Sequence, residues 1–414
     1  MIPRFTLRYI SLAGTSGYAT AAAALVRAMS EAGVNIVWEP MPPEAAYSLG
    51  YAPATSMWGP PDPTWFAPDL QRLRDDKRHC GTVIVHLVPE YYPYFIARDR
   101  GRGARQIVGH TVWETDRLPA GWPALINQLD AVIVPTELNR EVFYRSGVKV
   151  PILVVPHLPR QFDQSASATA RGNLRKRLRE LGDRRIFYTI STWQERKGIA
   201  FLIKAFTEAF TQQEPVALVI KTTRFDLEQV RHDHGYEGHR IRTWVQLAAI
   251  LGRTILRLGR QPPPIYLLTA ELLDDELQAL HEMGDCYVSL SRAEGWGLGA
   301  FEAAWLGKPV VVTGWGGPTA FLTPETAYFV DYSLVPIHLA VHSAVAKASY
   351  TSDQSWAEPD IGSAVSALRA VMAEPGKAGQ RGAAAASHLR RTIVPNQVAQ
   401  RLSQSLANLS GAYR

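Results

Sequence analysis

Cysteine is nearly absent from the 414-residue chain: Cys80 and Cys286 are the only two. Neither sits in a metal-ligand spacing and one bridge at most can form, which excludes a disulfide framework and suits a reducing compartment. Long apolar runs are also missing, and none approaches the ~18 residues of a membrane span. The N-terminal stretch MIPRFTLRYISLAG breaks its apolar residues with Arg4 and Arg8, unlike the core of a secretory leader. The expectation is a cytoplasmic protein, with peripheral contact to the inner face of a membrane left open. Charge of one sign is scarce too. Forty-four basic and 38 acidic residues leave a formal +6, too small and dispersed for a nucleic-acid partner but compatible with small anionic substrates. The histidines of RHDHGYEGHR (His232, His234, His239) match no common zinc spacing. No G-x-G-x-x-G follows the first strand, which weighs against a nicotinamide dinucleotide.

What the chain does have is alternation. Apolar runs at Leu7–Leu12, Asn35–Trp38, Thr82–Leu87, Gln106–Val112, Ala131–Val134 and Ile152–Val155 are separated in several places by helical patterns such as Ala19–Ala32 and Leu138–Ser146. A second set follows at Arg185–Ile190, Val216–Lys221, Ile265–Thr269, Cys286–Leu290, Pro309–Thr313 and Tyr328–Val330. Strands alternating with helices predict parallel sheets covered on both faces. The predicted fold is therefore α/β, with two Rossmann-like doubly wound domains facing a cleft. The boundaries are drawn at 1–165, a linker at 166–184, a second domain at 185–390, and a terminal helix at 391–414 packing back towards the first domain. Within the linker, Leu174, Leu178 and Leu181 read as a packed face under a solvated basic one.

The stretch SRAEGWGLGAFEA follows a strand and opens a helix. Ligands of open α/β sheets bind at the carboxyl ends of strands. A helix N-terminus presents unpaired N–H groups to an anion, and glycine lets backbone approach it closely. Glu294 and Glu302 would repel a phosphate, but a carboxylate accepts well from paired hydroxyls. One phosphate cradle flanked by two diol readers describes a nucleotide-sugar site. In ISTWQERKGIAFLIKAF, after the first strand of the same domain, Arg196 and Lys197 stand ahead of another helix. Cations at that end oppose the helix dipole, so a diphosphate ligand explains them better than local stability does.

EGWGLGAFEAAWLGKPVVVTGWGG resembles the E-x7-E region of retaining GT-B glycosyltransferases, specifically glycosyltransferase family 4, and ERKG resembles that family's phosphate-contact segment. DAVIVPTELNREVFYRSGVKVPILVVPHLP and GHTVWETDRLPAGW resemble segments of its N-terminal domain. The resemblance implies that Glu302 holds the donor ribose and that Glu294 contacts the donor sugar near its anomeric carbon. It further implies that the backbone at Gly297, Leu298 and Gly299 cradles phosphate, and that Lys197, with Arg196, binds the diphosphate. Thr269, at the end of its strand, joins the donor-binding candidates. Two positions depart from the family pattern: Ser191 and Thr192 stand where many members carry an arginine, and Ala320 where many carry an acid. There is no D-x-D arrangement, so no metal is expected.

In the first domain, SLAGTSGYATAAAALVRAM sets Gly14 and Gly17 around a turn that is either a ligand loop or a tight strand-to-helix connection. His110 lies late in its strand, where members of the family place a histidine close to the donor sugar, and His86 is a weaker counterpart. Tyr47, Tyr51, Trp58 and Trp65 form either an acceptor-stacking surface or a flap. The expected activity is metal-independent, retaining hexosyl transfer from a nucleotide-diphospho-sugar to a carbohydrate, lipid-linked or small-molecule acceptor, with no cofactor. The alternatives are a non-catalytic nucleotide-sugar-binding member of the fold, a GT-B epimerase or phosphorylase, and a nicotinamide dehydrogenase.

Overall fold

The computed structural model describes residues 6–41, 68–74, 78–162, 165–230, 240–338 and 349–411. The aromatic loop with Tyr47, Tyr51, Trp58 and Trp65, and the histidines at 232, 234 and 239, lie outside the described residues. The chain divides into two compact units, Met1–Arg160 with Arg391–Arg414, and Gln161–Arg390.

The first unit is built on β1 (Thr6–Leu12), β2 (Asn35–Met41), β3 (Thr82–His86), β4 (Gln106–His110), β5 (Ala131–Val134) and β6 (Ile152–Val154). They form one parallel sheet in the order β2-β1-β3-β4-β5-β6. Strands such as TVIVH and AVIV are buried along their whole length, which fits a sheet covered on both faces. Charged side chains enter this core, Arg8 and Asp99 among them. Arg8 of β1 donates to Glu39 of β2 at 3.0 Å and to the Arg78 carbonyl at 2.7 Å, and Glu39 also pairs with Arg98. Helix Gly17–Glu31 starts where the Ser16 hydroxyl accepts the Ala19 N–H at 3.2 Å. The terminal helix Pro395–Gly411 lies against it and buries Val398, Leu402 and Leu406.

The second unit adds β7 (Arg185–Ile190), β8 (Val216–Lys221), β9 (Phe225–Val230), β10 (Arg240–Arg242), β11 (Ile265–Leu268), β12 (Cys286–Ser289), β13 (Val310–Thr313) and β14 (Tyr328–Val330). Its parallel sheet runs β11-β8-β7-β12-β13-β14 over a core that includes Phe187, Phe206 and Phe210. β9 pairs with β10, and β15 (Tyr332–Pro336) with β16 (Ser355–Pro359), as antiparallel ribbons. Residues 166–184, drawn as a linker from the sequence, contain helix Ala168–Arg177, which packs on helix Asp274–Met283. Ser167 caps it, while Leu174, Leu178 and Leu181 are buried.

Strand order reverses once in each sheet, between β1 and β3 in the first and between β7 and β12 in the second. Loops leaving the carboxyl ends of strands diverge at such a switch point and open a crevice there. The ERKG segment follows β7 and the glycine-rich segment follows β12. The Gly14 turn follows β1, and β3 ends at His86.

Candidate active site

Parallel pairing of β7 with β12 brings two distant loops to one edge of the second sheet. After β7, residues Glu195–Lys197 make a single 3₁₀ turn that ends at Gly198, and helix Ile199–Ala209 follows. Gly198 has φ +63°, and a Cβ there would lie 1.9 Å from the Leu290 carbonyl oxygen, so only glycine lets the two loops press together. The contact is then stitched by hydrogen bonds. The Arg292 N–H and the Ser291 hydroxyl donate to the Arg196 carbonyl at 2.7 and 3.1 Å. The Arg196 guanidinium donates to the Ala293 carbonyl at 2.6 Å.

Glu294 is the centre of this arrangement. Lys197 Nζ donates to both of its carboxylate oxygens, at 2.8 and 2.9 Å, and Arg196 lies 3.6 Å away. The Gly317 N–H donates to the Glu294 carbonyl at 2.7 Å. Burial by itself raises the pKa of the carboxyl, but the Lys197 and Arg196 cations outweigh it and hold Glu294 below the usual carboxylate range. The group is an anion enclosed by cations.

The loop then passes Gly297, at φ +89°, into helix Leu298–Trp305. Its first internal bond runs from the Phe301 N–H to the Gly297 carbonyl, so the N–H groups of Leu298, Gly299 and Ala300 precede it, the arrangement that binds anions. Gly299 has a second cause: a Cβ there would meet the Tyr287 hydroxyl at 2.3 Å. Glu302, one turn into the helix, is buried with an oxygen 3.7 Å from His281 Nε2, and Nδ1 of that imidazole is 2.8 Å from the Tyr188 hydroxyl. Thr269 follows β11 at the sheet's edge, two strands from β7, and is not among the residues gathered around Glu294.

Two further charged residues, passed over in the sequence reading, lie at the carboxyl ends of strands of this sheet. Arg292 donates to Glu195 at 2.9 Å and Glu358 at 2.8 Å and is sandwiched between the rings of Phe201 and Trp356. It thereby ties the 3₁₀ turn to β16. Lys221 ends β8, in register with Ile190 at the end of β7. Burial lowers its pKa against the opposing pull of Glu271. A charge closing the apolar run VALVIK was the only visible sign of it.

In the first unit, Gly14 (φ +98°) turns the chain after β1, and Gly17 is the first residue of the following helix. The β3–β4 register sets His86 opposite His110, with their rings stacked at 3.7 Å between centroids and 8° between planes. The Tyr9 hydroxyl reaches Nδ1 of both, at 2.8 and 3.0 Å, and His157 lies 6.1 Å from His110. Burial pushes the pKa of each imidazole down, that of His157 to about 4, and leaves the rings neutral. Among the described residues no cluster of three or more His, Cys, Asp and Glu is placed to hold a metal ion. Nor is any helix among them long and apolar enough to cross a membrane.

Solved structures supply the comparison. HepE of Anabaena, in complex with UDP-glucose, superposes with a TM-score of 0.63 at 14% identity, over 98% of this chain and 100% of that one. Sucrose-phosphate synthase of Thermosynechococcus elongatus gives 0.63 at 14% identity, over 99% and 100%. Trehalose 6-phosphate synthase of Burkholderia multivorans gives 0.60 at 15% identity, over 99% of both chains. The fold is GT-B. No family model matches the sequence, and no curated protein matches it. At this identity the likeness is one of fold, and the GT-B chain's own residues carry any reading of its chemistry.

Two measurements check the electrostatics. Lys197→Met removes the ammonium that bonds both Glu294 oxygens and leaves Arg196, 3.6 Å away, as the remaining cation, and is expected to cost about 2 kcal/mol. Lys197→Met combined with Glu294→Gln should cost clearly less than the sum of the two single changes in urea unfolding. Additive losses would show that the pair is not coupled. For His157, the folded pKa of about 4 lies below the ordinary 6.5, so the unfolded chain takes up the proton first as pH falls. Its contribution is intact above pH 6.5 and is lost towards pH 4. His157→Gln is expected to remove about 2 kcal/mol of the stability lost between about pH 7 and 5. An unchanged pH slope would contradict this.

Proposed function

We propose that the protein is a retaining, metal-independent glycosyltransferase of the family 4 type. In this reading it moves a hexosyl group from a nucleotide-diphospho-sugar to a hydroxyl of a carbohydrate, lipid-linked or small-molecule acceptor. The observation that carries the reading is the meeting of Lys197 and Arg196 on Glu294, in the loop that leads through Gly297 into helix Leu298–Trp305, at a sheet switch point. Two cations and a helix N-terminus suit a diphosphate leaving group, and a pinned carboxylate suits sugar hydroxyls. The solved complex of HepE with UDP-glucose supports a nucleotide-sugar donor for this fold.

In the proposed reaction the second unit holds the donor. Gly297, Leu298 and Gly299 take phosphate on their backbone N–H groups, and Glu302 accepts from the ribose. Lys197 turns from Glu294 to the diphosphate and, with Arg196, neutralises the charge that develops as the bond to the anomeric carbon breaks. The acceptor oxygen bonds to that carbon on the face the diphosphate leaves, and its proton passes to the departing phosphate oxygen. Glu294 steadies the sugar beside the reacting carbon. In the first unit, which serves the acceptor, His110 is assigned to the donor sugar and the turn at Gly14 and Gly17 to the donor phosphates. We place the protein in the cytoplasm, with peripheral contact to the inner face of the membrane as a further proposal.

A thermal-shift panel of UDP, GDP, ADP and their glucose forms, followed by hydrolysis of the best donor, tests the reading. One nucleoside diphosphate family is expected to raise Tm, and Glu302→Ala should abolish that rise while leaving the unliganded Tm near its original value. Stabilisation by a nicotinamide dinucleotide instead of any nucleoside diphosphate would overturn the proposal.

A further inference from the structure

We infer that Tyr9 sets the tautomers of His86 and His110 in opposite senses, so that the stacked pair offers one Nε2–H donor and one bare Nε2 acceptor to a single sugar hydroxyl. The ligand half rests on the transferase reading above, whereas the tautomers follow from the geometry alone.

The Tyr9 hydroxyl has one proton and faces two Nδ1 atoms, at 2.8 Å on His86 and 3.0 Å on His110. It can donate to one of them only, and among the described residues it reaches no other acceptor for that proton. The other Nδ1 must then carry a hydrogen and donate to the phenol oxygen, because two lone pairs at that distance repel. A neutral imidazole has a single N–H. The ring protonated at Nδ1 therefore has a bare Nε2, and its neighbour has an Nε2–H. Burial keeps both rings neutral, with His157 adding to the effect on each. Strand register and stacking hold the rings 3.7 Å apart and nearly parallel, at 8°. One oxygen can then bridge the two outer nitrogens.

His110 Nε2 is buried and has no hydrogen-bond partner among the described residues. Buried polar atoms are rarely left without a partner, and ordered water or a ligand completes them. The chemistry of the missing partner is narrow. A hydroxyl both donates and accepts, a phosphate or carboxylate only accepts, and an ammonium only donates. A donor beside an acceptor fits a group that does both, which is water in the free protein and, in the transferase reading, an alcohol of the sugar that displaces it. Tyr9, which is fully buried and need not touch the sugar, acts as a positioning residue through both imidazoles.

Two-bond proton–nitrogen spectra of the full chain, labelled with 15N-histidine, read the tautomers directly. His86→Gln and His110→Gln assign the signals. The expected result near neutral pH is two neutral rings, one protonated at Nδ1 and the other at Nε2. Two rings of the same tautomer, or an imidazolium, would overturn the inference, and this spectrum needs no variant at Tyr9. For the ligand half, calorimetry compares UDP-glucose, GDP-glucose and ADP-glucose with their diphosphates. Tyr9→Phe is expected to weaken the bound nucleotide-sugar about tenfold and to leave the diphosphate unchanged. Equal weakening of both, or of neither, overturns the hydroxyl-reading role. If the native chain binds none of the six compounds, the transferase reading fails and the ligand half with it, while the spectrum still decides the tautomers.

Discussion

The ion pair between Lys197 and Glu294 is the interaction on which the second unit's functional edge depends. It joins the loop after β7 to the loop after β12. Everything around it maintains that contact: the left-handed Gly198, the paired donors on the Arg196 carbonyl, and the Gly317 N–H on the Glu294 carbonyl. A buried ion pair is a poor source of stability, because desolvation offsets much of the attraction. Its partly buried position fits the proposed role of Lys197 as a cation kept ready. In the transferase proposed above, an incoming diphosphate would offer Lys197 more negative charge than one carboxylate does, and the exchange would free Glu294 to accept from hydroxyls.

The two units handle polarity differently. The second concentrates charge at its switch point, with Lys197, Arg196, Glu294 and nearby Lys221. The first buries uncharged groups at its own, with Tyr9 between His86 and His110. Charged groups suit a leaving group whose charge grows during reaction, because field strength is what stabilises it. Neutral imidazoles suit ligand hydroxyls, where direction matters more than charge and a stray cation would attract anions instead.

Much of the fold was legible in the sequence because apolar runs of strand length, separated by helical patterns, admit few arrangements. Element edges were less so: helix Glu137–Arg145 starts a residue early because Thr136 caps it, accepting from the Asn139 N–H. At the site, the loops carrying Glu294 and Lys197 were visible, since each ends in glycine ahead of a helix. Their direct pairing was not, because it requires β7 beside β12. The same holds for Tyr9, His86 and His110, which only strand register brings together, and for Arg292, whose partners Glu195 and Glu358 are distant in sequence. Gly299 has a second reason to be glycine that only the structure shows. The Tyr287 hydroxyl occupies the space a Cβ there would take, beside the backbone N–H that the sequence assigns to phosphate.

The central claim is that Lys197 exchanges Glu294 for the outer phosphate of the donor. Calorimetric binding of nucleoside mono- and diphosphates of the preferred base, to the native chain and to Lys197→Met, tests it most directly. The expected result is a diphosphate preference of about 10- to 100-fold in the native chain that largely disappears in the variant. A preference of the same size in both proteins would contradict the exchange.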